Sequence, residues 1–403
     1  MPANLYTEAL IGPSWLTTGH DNNVTYVFAN DFGRPWTSAE TAMFAGIFAS
    51  IEAVCNINFV LDAASPEIVA NLISTSQMLS FTGLAAVGWY DHVPTSTTYF
   101  AQNDPRWVLA PGALGHWVAA HEVLHWIGLG HPDLVDFGET GTGVFPGVTP
   151  GDRQDTGDNG LNATWNTLQS AYFGGAPTGY GRAAGPMAFD IAALQELYGA
   201  RANATGNDTY SIPTTYWQCI WDTDGVDTIA GTAANDVINL NAATLQNEFA
   251  GGGMLSYRVP SSGIIPGGLS IANGVEIENI TGGGGNDTLT GNALGNYITG
   301  GSGTDKLVGN AGADILSGGG AADTFWLGND ADVDRALAGN LDIIREFDSG
   351  EDRIDLVAHN ATGISIIASG SAWLVRLNLD ADAVWERSIT VIGSKPILSD
   401  IDW

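Results

Sequence analysis

The stretch HEVLHWIGLGH, which begins at His121, places three histidines and a glutamate at spacings that suit metal chemistry. Positions i and i+4 of an α-helix share a face, so His121 and His125 can present two imidazole nitrogens to one ion. Gly128 permits a sharp turn that brings His131 back as a third ligand. Three neutral histidines leave an open position on Zn²⁺, as a catalytic site requires. Glu122 can reach a metal-bound water as general base, so the motif predicts a zinc-dependent hydrolase.

The alternative is a core helix that carries histidines by chance. H-E-x-x-H alone is a moderate signal, but the added G-x-x-H strongly favours a metal site. The other histidines do not share this spacing. His116 lies five residues before His121 and falls off the ligand face, and His20, His92 and His359 have no ligand spacing.

The first half of the chain predicts a mixture of helices and strands that must position this site. Thr37 and Glu40 have capping-box spacing before an alanine-rich helix. Gly128 ends the helix that carries the histidines. The predicted strands are residues 23–29, 56–63, 83–91 and 97–102, and the predicted helices are residues 38–55, 116–128 and 189–199. Residues 132–186 are rich in Gly, Pro, Asp and Thr and predict long loops.

Five nine-residue units of the form G-G-x-G-x-D-x-U-x, where U is large and apolar, fill residues 282–326. Looser copies cover residues 222–239. This pattern is the calcium-binding nonapeptide of RTX proteins. Glycines permit positive φ, and aspartate supplies the hard oxygen that calcium prefers. The predicted calcium residues are Gly283, Gly285, Asp287, Gly301, Gly303, Asp305, Gly312, Asp314 and Asp323.

If two units make one coil, residues 18 apart stack, so that Asp287 lies over Asp305 and Asp305 over Asp323. Stacked carboxylates repel unless a cation lies between them, so we expect this segment to fold on binding calcium. The second unit has Leu294 in a glycine position and Asn296 in the aspartate position, which predicts a poorer or absent site. The alternative, a flexible glycine-rich linker, does not explain the nine-residue phasing of the apolar residues.

Composition limits the partners of this 403-residue chain. Lys+Arg total 13 and Asp+Glu total 44, a formal net charge of -31, which argues against nucleic acid or an anionic membrane surface. The charge suits cation binding or solubility outside a cell, and a halophilic habit is the alternative. No stretch is apolar for long enough to cross a membrane. The N-terminal sequence lacks the basic and apolar regions of a Sec signal peptide.

The two cysteines, Cys55 and Cys219, lie in the apolar contexts EAVCNINF and YWQCIW. These contexts favour two buried free thiols over a disulfide framework. A single bridge stays open as the alternative, because sequence does not give the distance between them.

HEVLHWIGLGHP is the long metzincin motif, and together with the nonapeptide array and PMAFDIAALQELYG it makes this sequence resemble the serralysin family. Members are secreted bacterial zinc endopeptidases. The resemblance covers most of the chain and implies an α+β metzincin-type protease domain followed by an all-β parallel β-roll. The implied organisation is a short N-terminal segment of minimal propeptide length (1–20), a zinc metalloprotease domain (21–203), and a calcium-binding RTX β-roll with a C-terminal secretion-signal region (204–403).

The resemblance further implies one catalytic zinc ion held by His121, His125 and His131, several structural calcium ions, and Glu122 as general base in peptide-bond hydrolysis. Substrates would be proteins or peptides bound extended against an edge strand. The partner for export would be a type I secretion system that reads an uncleaved C-terminal signal, which places the protein outside the cell. We expect no nucleic-acid partner, no membrane insertion, and a monomer.

The chain departs from the family at the methionine turn, which has a pattern like M-S-Y beneath the zinc. The corresponding stretch here is NTLQSAYFGG, where Leu168 or Gln169 takes the methionine position and Tyr172 is displaced by one. The resemblance gives Tyr172 the role of an additional zinc ligand or oxyanion stabiliser. Leu124, where the family has glycine, and the bulky Trp126 are interpreted as core packing.

Two rival functions remain. The altered methionine turn fits a catalytically weak or inactive serralysin-like protein that acts as a secreted binding or surface-associated module. The intact Glu122 argues against this, because a protein without activity has no need of the base. A calcium-binding adhesin with an incidental helix is the third interpretation, and it requires that no zinc be bound.

Overall fold

A five-stranded sheet forms the frame of the first half of the chain. The computed structural model describes residues 4–11, 22–82, 88–91, 96–133, 144–152, 154–170, 181–327, 342–380, 385 and 387–403. The strands of this sheet are β1 (Asn23–Ala29), β2 (Asn58–Leu61), β3 (Ile68–Ile73), β4 (Gly88–Asp91) and β5 (Ser96–Ala101). Their spatial order is β2-β1-β3-β5-β4. Neighbours are parallel except at β4, which pairs antiparallel with β5 and forms one edge.

Helices cover this sheet and connect it to the rest of the fold. They are α1 (Leu5–Leu10), α2 (Ser38–Glu52), α3 (Thr75–Thr82), α4 (Leu114–Trp126) and α5 (Ala188–Tyr198). The capping box predicted at the start of α2 is present, because the Thr37 hydroxyl accepts from the Glu40 N–H and the Glu40 carboxylate accepts from the Thr37 N–H. The structure confirms the predicted helices, although α2 ends at Glu52, earlier than predicted.

The strands predicted at residues 23–29, 56–63 and 97–102 are confirmed, and only the end of the segment predicted at 83–91 is described, as β4. The sequence did not predict α1, β3 or α3. The central strand β3 reads IVANLI and is buried on both faces, so it lacks the alternation that marks a half-exposed strand. The other two are short helices of six and eight residues.

The second half of the chain contains a parallel β-roll, with antiparallel strand pairs within residues 236–258 and 363–393. Its strands are β6 (Thr209–Ser211), β7 (Trp217–Ile220), β8 (Thr228–Ala230), β9 (Asp236–Asn239), β10 (Tyr257–Arg258), β11 (Gly268–Ile271), β12 (Asn279–Gly284), β13 (Thr288–Thr290), β14 (Tyr297–Ser302), β15 (Lys306–Val308), β16 (Ile315–Gly320), β17 (Thr324–Trp326), β18 (Ile343–Phe347), β19 (Arg353–Asp355), β20 (Gly363–Ser369), β21 (Ala372–Asn378), β22 (Arg387–Gly393) and β23 (Ile401–Asp402). They form a sheet of order β10-β9-β13-β15-β17-β19-β23, a sheet of order β20-β21-β22-β18-β16-β14-β12-β8-β6, and the pair β11-β7.

Consecutive coils of the roll are 18 residues apart, as the repeat predicted. Leu289 pairs with Leu307, and Leu307 pairs with Phe325, on one sheet. Ile298 pairs with Leu316 on the other. These apolar side chains are fully buried between the sheets. An α+β region followed by a parallel β-roll confirms the predicted fold class.

One cluster of buried apolar side chains runs through both halves of the chain. The predicted free thiols are confirmed, since Cys55 is buried and Cys219 is half-buried, and neither forms a disulfide. Across the described ranges, every helix falls short of the length and hydropathy that a membrane crossing requires.

Candidate metal centres

Helix α4 carries the first two histidines and ends in a turn that positions the third. Gly128 follows the helix with φ +95°. The Gly128 N–H donates to the His125 carbonyl at 3.1 Å, and the Leu129 N–H donates to the Leu124 carbonyl at 3.0 Å. These two bonds are the Schellman motif, which ends a helix and reverses the chain. The predicted sharp turn at Gly128 is confirmed and leads the chain to His131.

The three predicted zinc histidines converge. Nε2 of His121 lies 3.0 Å from Nε2 of His131 and 3.2 Å from Nε2 of His125. All three ligand atoms lie within 4.8 Å of one another. His121 and His125 are buried and His131 is half-buried, so the cluster opens toward solvent on the side of the turn.

Backbone carbonyls orient two of these rings. Nδ1 of His121 lies 3.0 Å from the Leu168 carbonyl, and Nδ1 of His125 lies 2.6 Å from the Leu129 carbonyl. A carbonyl can only accept, so each Nδ1 carries the proton and each Nε2 presents its lone pair. Such partners fix the tautomer of metal-bound histidines. The donor set therefore fits one Zn²⁺ with an open fourth position.

Glu122 is buried beside the first of these histidines on α4. Burial raises the pKa of Glu122 to about 8. A carboxylate with a pKa near the working pH can both accept and return a proton, which suits general acid–base chemistry.

The segment around Leu168 contacts His121 and is held in place by the buried carboxylate of Asp190. The Leu168 N–H and the Thr167 hydroxyl each donate to Asp190 at 2.6 Å, and the Met187 N–H donates to it at 2.9 Å. Burial raises the pKa of Asp190 to about 6, although these three hydrogen bonds favour its ionised form. The side-chain amide Nε2 of Gln169 donates to the His121 carbonyl at 3.1 Å. The sequence did not single out Asp190, which sits in the DIAA stretch of α5.

The other residues that the sequence analysis discussed are the following. Tyr172, the predicted additional ligand, lies outside the described residues. His116 contacts the Ala184 carbonyl through Nε2 at 2.9 Å, away from the cluster. Leu124 and Trp126 are fully buried, and the ring of Trp126 stacks on Phe44, so the core-packing interpretation of both is confirmed.

Helix α1 packs directly behind the turn that carries His131. Tyr6 and Leu10 are buried in the core. The Leu10 carbonyl accepts from the Gly130 N–H at 2.6 Å, and Ile11 forms a bridge with Leu129. Part of the N-terminal segment, for which the resemblance implies propeptide length, thus supports the loop between His125 and His131.

Three of the four predicted calcium aspartates, Asp287, Asp305 and Asp323, lie in a ladder along one edge of the roll. Each backbone N–H donates to Oδ1 of the aspartate in the next coil, at 2.8 to 3.0 Å. We call this the first ladder; its members are Asp236, Asp287, Asp305, Asp323 and Asp352. Among the described residues, Oδ2 of the middle three is buried without a hydrogen-bond partner. Buried carboxylate oxygens that lack a donor fit a hard cation such as Ca²⁺.

The glycines set the backbone conformation beside the carboxylates of the first ladder. The predicted glycines all have positive φ, between 101° and 119°, namely Gly283, Gly285, Gly301, Gly303 and Gly312. A second set, the first glycine of each unit, was not among the predicted calcium residues. A Cβ at Gly300 would meet both Oδ2 of Asp305 and the carbonyl of Gly318. Because these two oxygens converge where a side chain would stand, only glycine leaves room there for a cation.

The second ladder, of Asn296, Asp314 and Asp342, starts with an amide. The Asn296 N–H donates to Asp314 Oδ1 at 2.8 Å, and the Asp314 N–H donates to Asp342 Oδ1 at 3.0 Å. Oδ1 of Asn296 accepts from the Asn292 N–H, and Nδ2 donates to Asn292 Oδ1 and to the Glu278 carbonyl. Protein groups thus satisfy this amide, which supports the expectation of a poorer or absent calcium site.

A third acidic cluster lies where the chain enters the roll. Carboxylate oxygens of Asp208, Asp222 and Asp227 lie within 4.8 Å of one another, and the Tyr210 hydroxyl donates to Asp222. Burial, together with the carboxylates around it, raises the pKa of Asp227. These three oxygens could hold a divalent cation. The signal in the sequence was the loose repeat copy DTDGVDTIA, from which no site residue was chosen.

A family model and the curated relatives of this chain agree on one family. A family model described as Peptidase M10 serralysin C terminal matches residues 189–380. Metallopeptidase AprA of Pseudomonas marginalis is 41% identical over 262 residues, which are 60% of this chain and 50% of that protein. Serralysin C of Dickeya chrysanthemi is 37% identical over 322 residues, 73% of this chain and 62% of that protein. Serralysin of Photorhabdus luminescens is 32% identical over 373 residues, 82% of this chain and 70% of that protein. The chain thus spans about half to seven-tenths of the length of these relatives.

Proposed function

This chain belongs to the serralysin family, and on that premise we propose that it is a secreted zinc endopeptidase whose β-roll is stabilised by calcium. The observation that carries the proposal is the convergence of three Nε2 atoms beside a buried glutamate. A merely structural zinc site would use four protein ligands, whereas three histidines leave a position for chemistry.

His121, His125 and His131 would hold the zinc. When bound, the ion lowers the pKa of a water molecule and polarises the substrate carbonyl. Glu122 would accept a proton from the attacking water and return that proton to the leaving amine nitrogen. Its burial supports this role, because a pKa near neutrality allows the carboxylate to act in both directions.

Substrates would be protein segments in extended conformation. Support comes from β4 (Gly88–Asp91), the antiparallel edge strand of the five-stranded sheet, which contacts helix α4. An edge strand offers unpaired N–H and C=O groups to which a peptide can add as a further strand. This mode would lay the scissile bond beside the histidines of α4.

Calcium would act on the roll and not on the chemistry. The unpartnered Oδ2 atoms of the first ladder support several calcium ions, each between coils. A roll that needs calcium would remain unfolded where calcium is scarce and fold outside the cell, which agrees with export by a type I system. The formal charge of -31 would help keep the chain extended until cations bind.

The test compares the parent with Glu122→Gln on casein, with zinc and calcium supplied, and measures bound zinc in both. We expect one zinc per chain in each protein and loss of at least about 100-fold in hydrolysis in the variant. Zinc uptake without hydrolysis by the parent would favour the binding module instead. Equal hydrolysis by parent and variant would refute the assignment of Glu122.

A further inference from the structure

Gln169 lies in the stretch where the family has its methionine, and its side chain is completely buried. Its Nε2 donates to the backbone carbonyl of His121 at 3.1 Å. That carbonyl lies inside α4, where it also faces the N–H of residue 125, and its second lone pair accommodates the extra donor. A methionine thioether has no donor, so a methionine at this position could not make the contact.

Two consecutive residues therefore hold His121 at two points. The Leu168 carbonyl fixes the ring through Nδ1 at 3.0 Å, and Gln169 fixes the backbone from which the ring projects. With both ends held, Nε2 keeps its direction toward His125 and His131. The contact comes from a segment 48 residues away in sequence, so it joins the floor of the site to the helix.

The segment that carries Gln169 is itself held by hydrogen bonds to α5. Leu168 and Thr167 donate to Asp190 on α5, both at 2.6 Å. A shift of α4 would therefore have to break hydrogen bonds to a buried carboxylate or pull on α5. The amide of Gln169 thus ties His121 to a framework and not to a free loop.

The oxygen of the Gln169 side-chain amide makes no comparable hydrogen bond among the described residues. Oε1 of Gln169 is buried and has no hydrogen-bond partner within the part of the chain that the structure describes. A buried acceptor without a donor opposes folding, and an apolar residue of similar length would avoid that penalty. The donor to His121 is the one favourable polar contact that the amide makes there.

We propose that Gln169 is a positioning residue that fixes His121 as a zinc ligand, by a hydrogen bond from its side-chain amide to the His121 backbone carbonyl. The inference rests on the proposed zinc site. It concerns how this chain supports the metal, and it does not depend on which substrate is cleaved.

The test uses the full chain in saturating calcium, with Gln169→Met, which keeps the side-chain length, and Gln169→Leu, and both substitutions remove the donor. The zinc dissociation constant is measured by competition with a chromophoric chelator, and the Co²⁺ form is examined by visible absorption. We expect the dissociation constant to rise about tenfold or more in both variants, as for other residues that orient metal ligands. The Co²⁺ absorption bands should change in position or intensity.

Gln195→Met is the matched control, because Nε2 of Gln195 donates to the Val54 carbonyl at 3.0 Å, away from the histidines. It should lower thermal stability but leave the zinc dissociation constant and the Co²⁺ spectrum unchanged.

Parent-like zinc dissociation constants and spectra in both Gln169 variants would overturn the proposal, and so would equal changes in Gln195→Met. A parent that binds zinc with the expected dependence on Gln169 but cleaves no protein would refute the peptidase and uphold the positioning role. A parent that takes up neither metal would overturn both.

Discussion

The backbone N–H of Asp287 donates to Oδ1 of Asp305 in the next coil, at 2.8 Å. The same carboxylate directs Oδ2 to a buried point where, among the described residues, no donor meets it. One aspartate therefore does two things: it joins adjacent coils through one oxygen and leaves the other for a cation.

Asp305→Asn tests the second of these roles. The amide keeps an oxygen for the Asp287 N–H but removes the charge that would bind calcium. We expect the calcium concentration at the midpoint of folding to rise by roughly tenfold, since ligand charge sets calcium affinity. Circular dichroism during a calcium titration measures it. Asp31→Asn, which changes an exposed aspartate of the first half, should leave the midpoint unchanged.

The reverse exchange, Asn296→Asp, completes the comparison. It removes the two N–H donors of the Asn296 side chain, which bond to Oδ1 of Asn292 and to the Glu278 carbonyl. Those two oxygens would then face the new carboxylate at position 296. We expect a loss of about 1–3 kcal/mol in unfolding free energy, even in saturating calcium. Recovery of parental stability on adding calcium would contradict the view that this coil is closed by its own amides.

The calcium-free roll should lose stability as the pH rises. Burial, with help from neighbouring carboxylates, raises the pKa of Asp287 to about 6 and that of Asp323 to about 7. An unfolded aspartate has a pKa of about 3.9, so the folded chain binds more protons between about pH 4 and pH 7. Stability is thus highest at the acid end of this window and declines toward pH 7.

Circular dichroism in resin-treated, calcium-free buffers at pH 5 and pH 8 measures the residual β signal of the roll and checks this direction. Because the roll needs calcium to fold fully, only a small fraction is folded in these buffers, and we expect that fraction to be lower at pH 8. Saturating calcium should weaken or reverse the trend, because the cation favours the ionised carboxylates. A calcium-free β signal that increases with pH would show that these aspartates are not desolvated.

Gly128→Ala should disturb the zinc centre through the backbone. Gly128 has φ +95°, where a Cβ is strained by about 1–2 kcal/mol, and its turn directs the Leu129 carbonyl to His125. We expect a corresponding loss of stability and weaker zinc binding, followed by urea unfolding and chelator competition. Gly46→Ala is the control of opposite sign, because in the middle of α2 an added Cβ meets nothing within 4 Å and should stabilise by about 0.5–1 kcal/mol.

Leu10→Ala tests whether helix α1 belongs to the stable fold of the first half of the chain. Leu10 is fully buried, so its truncation should cost about 2–5 kcal/mol. Leu5 on the same helix is 64% exposed, and Leu5→Ala should change stability by less than about 0.5 kcal/mol. Urea unfolding of the zinc- and calcium-loaded proteins compares them. Equal effects of the two substitutions would mean that α1 is dispensable, as a removable propeptide would be.

The sequence by itself determined those parts of the site that depend on local geometry. Two histidines at i and i+4 on a helix, and a glycine after it, follow from the helical repeat and from the conformational freedom of glycine. The 18-residue stacking of Asp287, Asp305 and Asp323 follows in the same way from a nine-residue period, because a regular repeat carries its own register.

Only the tertiary structure decided which distant groups complete these sites. The Leu168 carbonyl and Gln169 reach His121 from 47 and 48 residues away, and no local period relates them. The ends of the first ladder, Asp236 and Asp352, join it across gaps of 51 and 29 residues where the repeat is interrupted. The raised pKa of Glu122 likewise depends on desolvation by the packed core, and desolvation is a property of the folded chain.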